Sequence, residues 1–115
     1  YLLHGIVGAY IAKTKFDIQD EDILQAITWH TTGRPDMSLL EKIIFIADYI
    51  EPSRNPIPEL DAIRQLAFID IDKAMEKILS NTLKFLEEKG NPIDQMTQTT
   101  YDSYVQPTYK GGNFA

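Results

Sequence analysis

The chain holds two histidines, His4 and His30, and each lies within a helical pattern of apolar residues. A third polar residue, Asp48, stands in the most apolar stretch, MSLLEKIIFIADYIE, from Met37 to Glu51. Two neutral imidazoles and a carboxylate aimed at one interior form a donor set for a divalent ion such as iron, manganese or zinc. The alternative is that each is satisfied separately in the core, the histidines by carbonyl oxygens and the aspartate by an ion pair or a helix cap.

Three predicted helices carry these residues. The first reads LLHGIVGAYIAK, with Leu3, Ile6, Val7, Tyr10 and Ile11 at helical spacing and His4 on the same stripe. Its glycines, Gly5 and Gly8, thin the helix where another backbone or a ligand comes close. The second opens with the acidic turn Asp20, Glu21 and Asp22, continues through Ile23, Leu24, Ala26 and Ile27 to about His30, and has Trp29 at the edge of the core. Thr31, Thr32, Gly33, Arg34 and Pro35 then stop it, with Gly33 in the left-handed closing position. Hydroxyls, a glycine and an arginine after an inward histidine suit phosphate oxygens, and they are also ordinary turn residues. The third helix starts at the capping box Ser38-x-x-Glu41. Leu39, Leu40, Ile43, Ile44, Phe45, Ile46, Ala47 and Ile50 leave it almost no polar face, which predicts packing on several sides with Asp48 aimed at apolar surroundings.

Beyond Glu51, Pro52, Pro56 and Pro58 form a stiff link in which Arg54 is close enough to reach the pocket of Asp48. A short helix from about Glu59 to Phe68 and a long one from about Ile71 to Lys89, ended by Gly90, read as scaffold. Helix signals fade from Asn91, where Pro92, Ile93, Thr97, Thr100 and Tyr101 suit an ordered segment folded back over the helices. Disorder is expected beyond about Pro107. The expected architecture is an all-α bundle of about five helices over residues 1–106 with an irregular C-terminal tail at 107–115.

A length of 115 residues with 43% hydrophobic content supports one domain with a real core. The net charge of -6 argues against a broad surface for a nucleic-acid polymer, while a small anionic ligand remains compatible with a local metal and a few cations. Cysteine is absent, which removes disulfides and thiolate chemistry and fits a reducing cytoplasm. No apolar run approaches the roughly twenty residues of a membrane helix, and no signal peptide is recognisable. The chain opens on Tyr1 directly in a helical pattern, so the expectation is a longer protein that has lost its beginning.

Four blocks occur in a telling order: His4-Gly5-x-Val7-Gly8-Ala9-Tyr10; His30-Thr31-Thr32-Gly33-Arg34-Pro35; Met37-Ser38-Leu39-Leu40-Glu41-Lys42-Ile43-Ile44; and Ala47-Asp48-Tyr49-Ile50-Glu51-Pro52-x-Arg54. Together they resemble the YqeK family of HD-domain phosphohydrolases. The resemblance implies symmetrical hydrolysis of diadenosine tetraphosphate and related dinucleoside polyphosphates to two nucleoside diphosphates. It names iron first among the ions, with manganese or zinc as alternatives. It makes Asp48 a metal ligand and gives His4 and His30 a second ion or the phosphate chain. Thr31 and Arg54 would neutralise non-bridging oxygens, and Thr97 with Tyr101 would contact the nucleoside. The family's early histidine and its His-Asp doublet have no counterpart in residues 1–115, since His4 is followed by Gly5 and His30 by Thr31. A piece without them is expected to bind metal poorly and to be nearly inactive alone. The rival expectation is a degenerate HD-like module that binds a nucleotide or a protein without hydrolysis; a homodimer is compatible with either.

Overall fold

The computed structural model describes residues 2–51 and 59–105. Among them the chain forms six helices: α1 Leu2–Lys15, α2 Glu21–Thr28, α3 Leu39–Tyr49, α4 Leu60–Ile69, α5 Ile71–Lys89 and α6 Gln95–Val105. The ends follow from local chemistry. Asp20 accepts from the Asp22 and Ile23 amides at the head of α2. The predicted capping box of α3 is present, with the Glu41 amide donating to Ser38 Oγ at 3.2 Å and the Ser38 amide donating to Glu41 Oε2 at 3.3 Å. Gly90 closes α5 at φ 71, where the Asn91 amide reaches back to the Leu86 carbonyl at 3.0 Å.

Helix α5 is the scaffold, packed against α3, α4 and α6, while α1 packs on α2 and α2 on α3. The buried cluster is Met37, Phe45, Ile46, Ile63, Ala74, Met75, Ile78 and Leu79, with Tyr49, Leu66, Tyr101 and Tyr104 around it. It lies between α3, α4, α5 and α6, away from α1. Lys42 Nζ adds an ion pair to Asp72 across the α3–α5 contact at 2.7 Å. Among the described residues no helix is long and apolar enough to cross a membrane.

Three expectations need correction. The ordered segment expected after Asn91 is a further helix, α6, so the described residues hold six helices where about five were expected. Polar residues hid it. Asp94 Oδ1 accepts from the Met96 amide at 2.8 Å at the head of α6, while Thr100 Oγ1 donates to the Met96 carbonyl and Ser103 Oγ to the Thr100 carbonyl, each at 2.7 Å. A hydroxyl satisfied by its own helix backbone can be buried at small cost, as Thr100 is, and Thr97 is buried as well. Asp94→Ala is expected to cost about 1 kcal/mol, read as a lower urea midpoint with the helical signal of α6 selectively weakened.

Helix α3 is packed on one side rather than several. Glu41, Phe45 and Ile46 are buried, whereas Leu39, Ile43, Ile44, Ala47 and Asp48 are exposed. In α1 the bulky stripe faces outward, with Leu3 70% and Tyr10 67% exposed, and the buried residue is Gly5. The helix sits on α2 through its small residues, and Ile6, Val7 and Ile11 are still 43–48% exposed. Expectations for Pro52, Arg54 and the link to Pro58, and for the tail beyond Pro107, lie outside the described residues.

Candidate functional site

Close contact between α1 and α2 builds the centre of the site. A Cβ added to Gly5 would lie 2.0 Å from the Thr28 carbonyl oxygen and 3.1 Å from that of Ile27. Only glycine permits this approach. It brings His4, the residue before Gly5, beside His30, and the two ring centroids stand 5.7 Å apart with the planes tilted by 57°.

The His30 ring is locked by the same stretch of backbone. Its Nδ1 lies 2.6 Å from the Ile27 carbonyl oxygen. A carbonyl only accepts, so Nδ1 carries the proton and Nε2 presents a lone pair. This is the second-sphere arrangement that orients histidines toward metals. His30 is half-buried and His4 exposed, so His4 is not the core histidine that the apolar stripe predicted. His30 also lies past the end of α2, in a turn that begins at Trp29. The helix stops earlier than expected because the chain closes at Gly33, at φ +74, with the Gly33 amide donating to the Trp29 carbonyl at 2.8 Å.

Arg34 is held by a carboxylate. Its Nε and Nη2 donate to Glu41 Oε1 and Oε2, each at 2.8 Å, and its guanidinium stands 5.7 Å from the centre of the Trp29 ring. Burial alone would raise the pKa of the Glu41 carboxyl. The Arg34 hydrogen bonds and charge, with the Ser38 amide, outweigh burial and hold it below the usual carboxylate range. Arg34 is raised in turn, chiefly by the bond to Glu41. Ser38 Oγ donates to Asp22 Oδ1 at 2.5 Å, tying the start of α3 to α2. The capping box identified Glu41 as a helix-start residue and nothing more. No spacing rule pairs it with an arginine seven residues earlier across an irregular turn.

Asp48 lies on the exposed side of α3 rather than in apolar surroundings. Among the described residues no group of three His, Asp or Glu side chains is placed to hold an ion, so the three-residue convergence is not found there. The structure brings together His4 and His30. Thr31 follows His30 in the turn. Thr97 is 5% exposed and Tyr101 packs against the core cluster, so their side chains are largely occupied by packing. Arg54 lies outside the described residues.

Residues 1–53 match the HD domain family. The chain is 52% identical over 104 residues to "Bis(5'-nucleosyl)-tetraphosphatase, symmetrical" of Halalkalibacterium halodurans, covering 90% of this chain and 55% of the relative. It is 48% identical over 104 residues to the protein of the same name from Bacillus subtilis, with the same shares covered. A crystal structure described as a predicted HD superfamily hydrolase involved in NAD metabolism, from Clostridium acetobutylicum, superposes with a TM-score of 0.87 at 47% identity, over 93% of this chain and 56% of that one. The chain thus spans about half the length of the curated relatives it matches. The glycine-mediated α1–α2 contact, the paired histidines and the capped α3 all lie inside the region that matches the HD domain family, and the chain aligns with the C-terminal part of its symmetrical bis(5'-nucleosyl)-tetraphosphatase relatives.

Proposed function

We propose that the protein to which this stretch belongs hydrolyses diadenosine tetraphosphate and related dinucleoside polyphosphates symmetrically, releasing two nucleoside diphosphates. The observation that supports this best is the His4–His30 pair, in which a carbonyl-anchored imidazole presents Nε2 beside a second ring. When bound, a divalent ion supplies an acidified water and positive charge for phosphate oxygens. Iron is the ion assigned first, with manganese or zinc able to replace it; imidazole suits iron and zinc, and carboxylate suits manganese. His4 and His30 are two nitrogen donors, fewer than a divalent ion requires. Their role in this reading is to hold a second ion or the phosphate chain.

Asp48 keeps the ligand role that the resemblance gives it. Its partners would be the early histidine and the His-Asp doublet, which residues 1–115 do not contain. That accords with the lack of a three-donor group among the described residues. Thr31 is assigned to the phosphate chain because it directly follows His30, and Arg54 is proposed as a second phosphate contact. Thr97 and Tyr101 reach a nucleoside only by their exposed edges, so their part is the smallest. The absence of cysteine fits a cytoplasmic setting.

Product analysis tests the reading. The protein, incubated with diadenosine tetraphosphate and a divalent ion, is expected to yield ADP as the sole nucleotide product. His30→Ala is expected to lower turnover roughly a hundredfold without altering the helical signal. ATP with AMP would exclude symmetrical attack. Tight ADP binding with no turnover would establish instead the non-hydrolysing module, a reading favoured by the incomplete donor set.

A further inference from the structure

Arg34 and Glu41 lie outside the histidine pair, and the proposed chemistry uses neither. They are nevertheless the most fully engaged charged groups in this part of the fold. Glu41 is 2% exposed, and both of its oxygens are held by the Arg34 fork. The guanidinium also covers Trp29, whose Nε1 donates to Gln25 Oε1 at 2.7 Å. Trp29 and Gly33 are joined by a backbone hydrogen bond of 2.8 Å. His30 therefore sits inside a closed turn: the guanidinium covers the residue before it and belongs to the chain just after it.

The turn is braced from the opposite side. A Cβ at Gly33 would lie 2.9 Å from Thr100 Cγ2, so α6 leans directly on it. On the α3 side, Glu41 is fixed by Ser38, and Ser38 by Asp22. An unrestrained histidine at a helix end populates both neutral tautomers and several ring orientations. The closed turn leaves His30 its bond to the Ile27 carbonyl.

We infer that Arg34 and Glu41 are positioning residues for His30, their two-bond fork fixing the Trp29–Gly33 turn so that the ring stays on the Ile27 carbonyl with Nε2 turned outward. The inference rests on the reading of His30 as a ligand of metal or phosphate for its functional meaning, and on geometry alone for the ring state. A fork of two parallel bonds is specific to arginine and carboxylate. Lysine retains the charge and loses the fork.

The test uses the intact protein labelled with nitrogen-15. Long-range proton–nitrogen correlations of the histidine rings are recorded for wild type, Arg34→Lys and Glu41→Gln, with His30→Gln identifying the signal. Wild type is expected to show His30 protonated at Nδ1 and bare at Nε2. Both variants are expected to drift toward the mixed tautomers of a free imidazole, leaving the His4 signals in place. The kcat for diadenosine tetraphosphate should fall roughly ten- to a hundredfold with KM little changed. Glu41→Gln keeps an acceptor for Arg34 and Ser38, so it carries the test if Arg34→Lys fails to fold. Unchanged His30 signals in the folded variants would overturn the inference and leave the pair a purely structural tie, as would a wild-type ring protonated at Nε2. If the ring responds as expected but wild type cleaves no dinucleoside polyphosphate, the positioning stands and the functional reading falls.

Discussion

Gly5→Ala is expected to separate α1 from α2 and abolish most of the activity. The added Cβ would meet the Thr28 carbonyl oxygen at 2.0 Å and the Thr28 carbonyl carbon at 2.8 Å. These are backbone atoms, so no rotamer change relieves the clash and one helix must move. Alanine recovers about 1 kcal/mol of helix propensity over glycine, but forced overpacking costs about 1–3 kcal/mol, and here the contact as a whole has to open. The Ile27 carbonyl, 3.1 Å from the same Cβ, also accepts the His30 Nδ1 proton. Displacement therefore disturbs both histidines together, and a misplacement of about 1 Å can lower turnover roughly a hundredfold. Gly8→Ala is the control, since its Cβ would meet only a side-chain atom, Ile27 Cγ2, at 3.2 Å, and a shift of a few tenths of an ångström relieves it. Urea denaturation beside turnover checks the pair. Equal behaviour of the two variants would show that the close approach does not build the site.

The second large effect is an asymmetry between two substitutions in one ion pair. Arg34→Ala leaves the Glu41 carboxylate, 2% exposed, without its counter-charge, and is expected to cost about 3–5 kcal/mol. Glu41→Ala should cost less, because the Arg34 side chain is 32% exposed and its guanidinium can turn toward water over Trp29. Acid brings out the difference. In wild type the Glu41 pKa is depressed, so its contribution to stability is complete above the unfolded value near 4.5 and is lost as pH falls through the lower folded value. In Arg34→Ala burial is opposed only by the Ser38 hydrogen bonds, so that pKa should rise, and the penalty should be greatest at neutral pH and shrink as the carboxyl protonates. Urea midpoints at neutral pH and in acid measure this. A penalty that does not change with pH would mean that the pair contributes packing and not charge.

Sequence alone revealed what depends on local chemistry. The Ser38–Glu41 box, the acidic opening of α2, Gly33 and Gly90 as left-handed closures, and the thinning of α1 at Gly5 are properties of a few neighbouring residues. Burial was less legible. An apolar stripe shows which face prefers to be covered, not whether anything in the chain covers it, and so Leu3, Tyr10, Ile43 and Asp48 were expected inside and stand outside. The converse error concealed α6, where Thr97 and Thr100 look polar and yet are buried, Thr100 with its hydroxyl on the Met96 carbonyl. The pairing of His4 with His30 was anticipated from residue type. The Arg34–Glu41 fork was not, because loop geometry has no period to read.

Helix α1, held on α2 by its glycine edge and lying away from the main buried cluster, has a consequence for the order in which the molecule opens. Regions with few buried apolar contacts exchange their amide protons through local fluctuations well below the free energy of global unfolding. The amides of α1 should therefore exchange long before those of α5, whose Ala74, Met75, Ile78 and Leu79 are fully buried. His4 rides on the fast-exchanging segment, whereas His30 is anchored to the tied turn. The two-ring site thus exists only during the fraction of time that α1 is docked, and its affinity for any ligand is scaled by that population.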